Sequence, residues 1–462
     1  MADYSIKELE TWNERIEKLA RSFGLDYYEQ EFEIVSYEDM ICFETYIGMP
    51  SHYNHWSYGK HYERTKTLNR YNLTGLPYEM VINSDPCIAY LMKDNTLLLQ
   101  ILTIAHVYGH NDFFKNNRLF KFGTRADYTV EMFKNHANRV RGYLADPSIG
   151  YPKVEKILNA AHAIKYQTSR VIGIRKESEE EKRQKLIMKH QAPKSDHPLL
   201  EPGYAIEEVP LNLKKIPLEP EEDLLLFLSK YSRLKEWEKD LLDIVRYETQ
   251  YFIPQIETKI MNEGWASFWH YTILKNLDLP QGLHMEFLKR HNQVIRPLEG
   301  RINPYYIGFK ILENLVEKNQ GDYKKIFEIR EIERDQSFLR RYLTQELCTE
   351  MNLFEYVKSG NEYVISEVSD EEGWRMVRDS LASSVGMGGI PAISVVEWIQ
   401  KDNTLLLEHQ YDGRELEMNY AYETLKHTVD LWDGKVMLET YLEDKRKIII
   451  CDEDKRISIV NA

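Results

Sequence analysis

Cysteine is scarce and scattered. The 462 residues hold four, Cys42, Cys87, Cys348 and Cys451, with no CxxC pair among them. That spacing excludes a zinc ribbon and a disulfide scaffold and fits a reducing compartment. Basic charge is also short: 60 Lys and Arg against 74 Asp and Glu leave a net charge of -14. With no local basic patch, such a surface repels nucleic acid and anionic lipid. The most apolar stretch, 97–108, is broken by Gln100, Thr103 and His106 and falls short of the roughly 20 residues that a membrane span needs. The opening residues Met1, Ala2, Asp3 and Tyr4 lack the basic and apolar regions of a secretory signal. These absences predict a cytoplasmic protein with no integral membrane segment and no nucleic-acid partner. What is plentiful is apolar and aromatic material, 43% and 12% of the chain, enough to bury a large core and to exclude disorder over most of the length.

Helical periodicity dominates the first three quarters. Residues 5–23 place Ile6, Leu9, Trp12, Ile16 and Leu19 on one face, with Gly24 as a stop. Further helices are expected over 95–117, 128–144 and 152–164, the last with Pro152 in its first turn. Residues 175–220 are charged and rich in proline and read as a linker or surface excursion. Helical patterning resumes over 221–277, with a break near Pro254, and over 304–350. Beyond 361 short β-type runs take over: a hairpin from 404–411 and 415–420 about Asp412 and Gly413, a helix near 422–432, and a meander of 435–442, 447–451 and 456–460. The expected architecture is α+β and predominantly helical. A helical segment 1–174 packs with a second over 221–355, and a small α+β domain occupies 362–462.

Two polar stripes cross otherwise apolar helices. His106 and His110 stand at i and i+4, so both can bind one metal ion, and Gln100, Thr103 and Asn117 extend the same face. In the second stripe Lys259, Glu263, Ser267 and His270 follow at intervals of four, four and three among Ile260, Trp265, Phe268 and Trp269. Buried polar groups need partners, since an unsatisfied one costs about 1–3 kcal/mol. Together the stripes supply a His-His-Glu set, the ligand type of catalytic zinc sites that keep a position open for water. The segment Asn262, Glu263, Gly264, Trp265, Ala266 is similar to the segment that supplies the third zinc ligand in some zincin metallopeptidases. Those enzymes carry a glutamate directly after the first histidine of HExxH, and here that position is Val107. The base must then come from Glu79, Asp112 or His270. A loop at 49–61 offers His55 and Trp56, and the second stripe offers Lys259, as substrate-binding groups. Alternatives remain open: two structural histidines in a core, an ordered aromatic loop, a dinuclear set that adds Glu155 and His162, or a transferase using Cys87. The turn Gly386, Met387, Gly388, Gly389 lacks the lysine and helix of a phosphate loop.

Several of these segments resemble one family. Residues 106–117 with their Phe113, Phe114, Lys115, Asn116, Asn117 ending, 55–60, 81–87, 261–270 and 302–308 look like the SpoVR family, stage V sporulation protein R, across nearly the whole chain. The resemblance implies a cytoplasmic bacterial protein needed to form the spore cortex, a modified peptidoglycan, with relatives in bacteria that do not sporulate. It carries no catalytic assignment. Combined with the stripes, it leads to the expectation of a metal-dependent, zincin-like hydrolase acting on an amide or peptide bond. His106, His110 and Glu263 would hold zinc or another divalent ion, and protein partners of cortex assembly are expected. The competing expectation is a non-enzymatic regulator or scaffold of that assembly.

Overall fold

The structure is a computed structural model that describes residues 4–70, 79–191, 212–298, 301–359, 362–368, 370–371 and 373–461. Two compact units are interleaved along the chain, residues 1–148 with 250–389 and residues 149–249 with 390–462. Both are built mainly of helices, so the molecule is a predominantly helical α+β protein. The division falls at 148/149, 249/250 and 389/390.

The first unit begins with α1 (Ile6–Ser22). Ser5 caps it by accepting the Glu8 N–H, and Gly24 at φ +92° closes it. The Leu25 N–H reaches the Ala20 carbonyl and the Gly24 N–H that of Arg21, the Schellman pattern that only a left-handed residue allows. Next come β1 (Gln30–Val35), α2 (Tyr37–Thr45), α3 (Trp56–Arg70), β2 (Glu79–Ile82) and β3 (Cys87–Met92). The strands form a sheet in the order β1-β3-β2, with β1 parallel and β2 antiparallel to β3. Glu79 opens β2 opposite Leu91. The expected loop over 49–61 turns helical at Trp56. Then follow α4 (Leu97–Asn116), α5 (Arg118–Gly123) and α6 (Thr129–Ala145). Helix α4 is buried on every side from Leu98 to Phe114, which is why its apolar residues show no single face.

The second unit takes α7 (Tyr151–Ala163), α8 (Glu179–Gln191), α9 (Leu224–Tyr231) and α10 (Glu236–Glu257), the last crossing the division at 249/250. Part of the expected linker is thus the helix α8; its residues 192–211 lie outside the described ones. Pro254 does not break the helix where it stands. The backbone continues to Glu257, and Thr258 donates its hydroxyl to the Pro254 carbonyl at 2.7 Å. The chain restarts as α11 (Lys259–Lys275), whose first N–H groups, of Ile260 and Met261, are taken by the Asp335 carboxylate at 2.8 and 2.9 Å.

The first unit continues with α12 (Gln281–Val294), α13 (Pro304–Lys318), α14 (Lys324–Ile332), α15 (Asp335–Tyr342), α16 (Gln345–Glu350), the antiparallel pair β4 (Phe354–Ser359) and β5 (Glu362–Val368), and α17 (Trp374–Ser384). Its core is a tight stack of α4, α11 and α13. A Cβ on Gly109 would lie 2.7 Å from the Ala266 Cα, and one on Gly264 would lie 2.4 Å from the Gly308 Cα. Glycine at these positions lets the helix backbones touch.

The second unit ends with β6 (Ile393–Ile399), β7 (Thr404–His409), α18 (Met418–Trp432), β8 (Val436–Leu442), β9 (Lys445–Cys451) and β10 (Ile457–Asn461), in sheet order β10-β9-β8-β7-β6. The meander β8-β9-β10 is as expected, but the hairpin after β7 is not. Glu417 caps α18 by accepting the Tyr420 N–H, so the chain passes from β7 through a helix to the parallel strand β8.

Candidate metal centre

Helix α4 carries His106 and His110 one turn apart, their rings 4.6 Å between centroids and nearly perpendicular. The close approach at Gly109 lays α11 alongside, and the Asp335 clamp fixes that helix's first turn, so Asn262, Glu263, Ser267 and His270 arrive on the facing side. Strand β2 delivers Glu79. One ligand atom each from Glu79, His106 and His110 lies within 4.8 Å of the others. The Glu79 carboxylate is 3.8 Å from His106 Nε2, and that of Glu263 is 3.6 Å from His110 Nε2 and 4.0 Å from His106 Nε2. Tetrahedral donors about 2.1 Å from one ion sit about 3.4 Å apart, so these spacings are near those of a shared cation and too long for hydrogen bonds.

Proton placement favours the same conclusion. Nδ1–H of His110 donates to Asn262 Oδ1 at 2.9 Å, which turns the bare Nε2 toward Glu263. His106 has its Nδ1 2.9 Å from Nδ1 of His270, and its buried Nε2 has no hydrogen-bond partner among the described residues. Bare imidazole nitrogens facing carboxylates repel unless a cation stands among them, and the donor set of two histidines and two carboxylates fits a divalent ion. Burial, with the neighbouring imidazoles of His110 and His270, pushes His106 well below the usual histidine range. Burial first, and then the charge of Glu263, pushes the Glu79 carboxyl up to about 8. Two further buried hydroxyls on the stripes, Thr103 Oγ1 and Ser267 Oγ, also have no partner among the described residues. Tyr305, at the start of α13, stacks on His106 at 6.1 Å.

Of the residues singled out in the sequence, His106, His110, Glu263, Glu79 and His270 come together. Asp112 is turned elsewhere. Its carboxylate accepts from the Asp26 N–H, Trp265 Nε1 and Arg330 Nη1 at 2.6–2.8 Å, which leaves it no part as a base at the cluster. Lys259 is exposed at the start of α11. His55 bonds Ser57 Oγ at 2.7 Å and lines a cavity of about 240 Å³ with Thr45, Tyr46, Asn54 and Tyr58, while Trp56 beside it is 50% exposed. Glu155 and His162 belong to the second unit, where Glu155 accepts from the Tyr151 hydroxyl. Cys87 is buried, donates to the Ile82 carbonyl at 3.3 Å, and has its thiol pushed up by burial, the opposite of an activated nucleophile.

Asn262, His291, Tyr305 and Asp335 escaped the sequence reading. Asn262 was visible beside Glu263, but the helical stripe passes through the glutamate. The rest of 106–117 proves to be scaffolding. Asn111 brackets the Tyr28 backbone, Asn116 reaches the Asp26 carbonyl, and Asn117 donates to the carbonyls of Arg330 and Glu333.

Comparison with known proteins bears on the whole chain. Residues 3–390 match the family described as SpoVR like protein, and residues 391–443 match the SpoVR-like C-terminal domain. The uncharacterized protein YcgB of Escherichia coli (strain K12) is 32% identical over 485 residues, covering 96% of this chain and 93% of its own. No solved structure matches. Among the described residues no helix is long and apolar enough to cross a membrane. With both profiles and a relative aligned almost end to end, this chain belongs to the SpoVR family.

Proposed function

We propose that this protein serves sporulation, in formation of the spore cortex, through a metal-dependent hydrolase-like centre acting on an amide or peptide bond. The observation that carries the reading is the buried Nε2 of His106, without a hydrogen-bond partner among the described residues, within 4.0 Å of two carboxylates and one turn from His110. His106, His110 and Glu263 would hold zinc or another divalent ion. When bound, the ion would polarise a carbonyl and lower the pKa of a water molecule. Asn262 orients His110 through its Nδ1–H, the arrangement that fixes ligand tautomers in metal sites. Val107 is in the core at 0% exposure, so no base comes from that position. Glu79, arriving from β2 beside His106, would take the proton of an attacking water once a bound cation offsets the burial that raises its carboxyl. Cytoplasmic location and protein partners of cortex assembly belong to the same proposal.

The test compares purified parent, Glu79→Gln and Glu263→Gln for bound metal and for cleavage of peptidoglycan fragments. The reading expects Glu263→Gln to lose metal and Glu79→Gln to keep it while losing turnover. Cleavage unaffected by both substitutions would refute it.

A further inference from the structure

His270 spends both ring nitrogens on other imidazoles. Its Nδ1 lies 2.9 Å from Nδ1 of His106, and its Nε2 lies 2.8 Å from Nδ1 of His291 on α12. His291 is buried as well, stacked on Tyr271 with centroids 4.6 Å apart and flanked by Phe287 and Phe309. A nitrogen–nitrogen contact of this length is a hydrogen bond only when one partner carries a proton and the other does not.

Burial keeps the three rings neutral. All three are buried, His106 at 3%, His270 at 0% and His291 at 3% exposure, where the charged form is disfavoured. Each ring then has one proton to place, and two arrangements satisfy both contacts. In the first, His106 donates from Nδ1 to His270, and His270 donates from Nε2 to His291, which leaves His106 Nε2 bare. In the second, every donor and acceptor is reversed and His106 Nε2 carries a proton. Among the described residues that proton would have no acceptor: Nε2 has no hydrogen-bond partner there, and the carboxylates of Glu79 and Glu263 are 3.8 and 4.0 Å away.

We infer that His291 is a positioning residue for the metal centre, holding His106 through His270 in the tautomer that leaves the His106 Nε2 lone pair free for a cation. The inference rests on the metal reading above. It explains why a further histidine, on a helix that supplies none of the metal ligands, is fitted to the site. His291 Nδ1 is the acceptor that ends the chain, and without it His270 loses the reason to keep its proton on Nε2.

The experiment measures Zn²⁺ affinity of the full chain by chelator competition for the parent, His291→Leu and His291→Asn, with helical circular dichroism as the check on folding. Leucine cannot accept from His270 Nε2–H, whereas the asparagine Oδ1 can. The expected result is about 10–100-fold weaker zinc binding in His291→Leu and recovery to near the parent in His291→Asn. Nitrogen-15 NMR of the histidine-labelled, zinc-loaded parent should find the proton of His270 and of His291 on Nε2. Equal zinc affinity in all three proteins, or protons on Nδ1 of His270 and His291, would overturn the inference and leave the metal centre standing. If His291→Leu fails to fold, His291→Asn and the NMR assignment decide it. A parent that binds no Zn²⁺ overturns both the metal reading and this inference.

Discussion

Replacing Gly264 by alanine tests the packing that brings the site together, because two effects of opposite sign meet there. In an open helix, glycine to alanine stabilises by up to about 1 kcal/mol. At Gly264 the new Cβ would stand 2.4 Å from the Gly308 Cα, 2.5 Å from its carbonyl carbon and 2.9 Å from the Phe309 nitrogen. All three are backbone atoms and cannot rotate away. Ordinary carbon contacts lie near 3.5–4.0 Å, so α11 and α13 must part by about 1 Å. Overpacking of this kind costs about 1–3 kcal/mol, and the gap it opens forfeits part of the dispersion energy along the rest of the interface. The net expectation is a destabilisation of about 1–3 kcal/mol despite the better helix former. Gly142 on α6 has nothing within 4 Å of the same Cβ position, so Gly142→Ala should be neutral or stabilising by up to about 1 kcal/mol. Urea unfolding followed by tryptophan fluorescence is a suitable assay, since Trp265 and Trp269 are buried beside the substitution. A Gly264→Ala protein as stable as the parent, or more so, would refute the close-contact argument.

Other consequences are independent of it. Asp112→Asn removes the buried carboxylate that Arg330 Nη1 contacts at 2.6 Å, and stranding the guanidinium should cost about 3–5 kcal/mol, read by the same unfolding assay. Asp335 is pushed up to about 8, chiefly by burial, from an ordinary 3.8. The native state therefore keeps a proton that the unfolded chain has lost, and the contribution of Asp335 to stability falls as pH rises from about 4 to about 8. Asp335→Asn should flatten that part of the profile, and parallel profiles would contradict the assignment. Of the four thiols only Cys42 is exposed, so a thiol reagent should label one cysteine per native chain rapidly and all four after denaturation. Asn262→Ala frees His110 Nδ1 and should weaken metal binding about 10–100-fold with little change in helical content.

The helices were legible wherever a pattern and a cap agreed, as at Ser5 and Gly24 around α1 or Pro152 in α7. Boundaries shifted where a cap outside the apolar pattern decided the outcome. A break is expected near Pro254, and the chain breaks just beyond it, where α10 ends at Glu257 and Asp335 from another helix takes the first N–H groups of α11. Asp412 and Gly413 read as a hairpin turn, yet the capping carboxylate of Glu417 starts a helix a few residues later. The polar stripes on α4 and α11 pointed to His106, His110, Glu263 and His270 because a buried helix can carry such residues only if they find one another. Local spacing contains nothing about His291, which reaches the cluster only because α12 packs against α11 and α4. Nor does it reveal that Asp112, on the same helix as the histidines, is directed to Arg330 instead.

The central claim is that His106, His110 and Glu263 hold a cation, with Glu79 beside it. It is tested most directly by the metal content of protein purified without added metal, measured per chain for the parent and for His106→Ala and Glu263→Gln. The account predicts about one equivalent of divalent metal in the parent and its loss from both variants, with folding retained. A folded parent with no stoichiometric metal, or variants that hold as much as the parent, would contradict it.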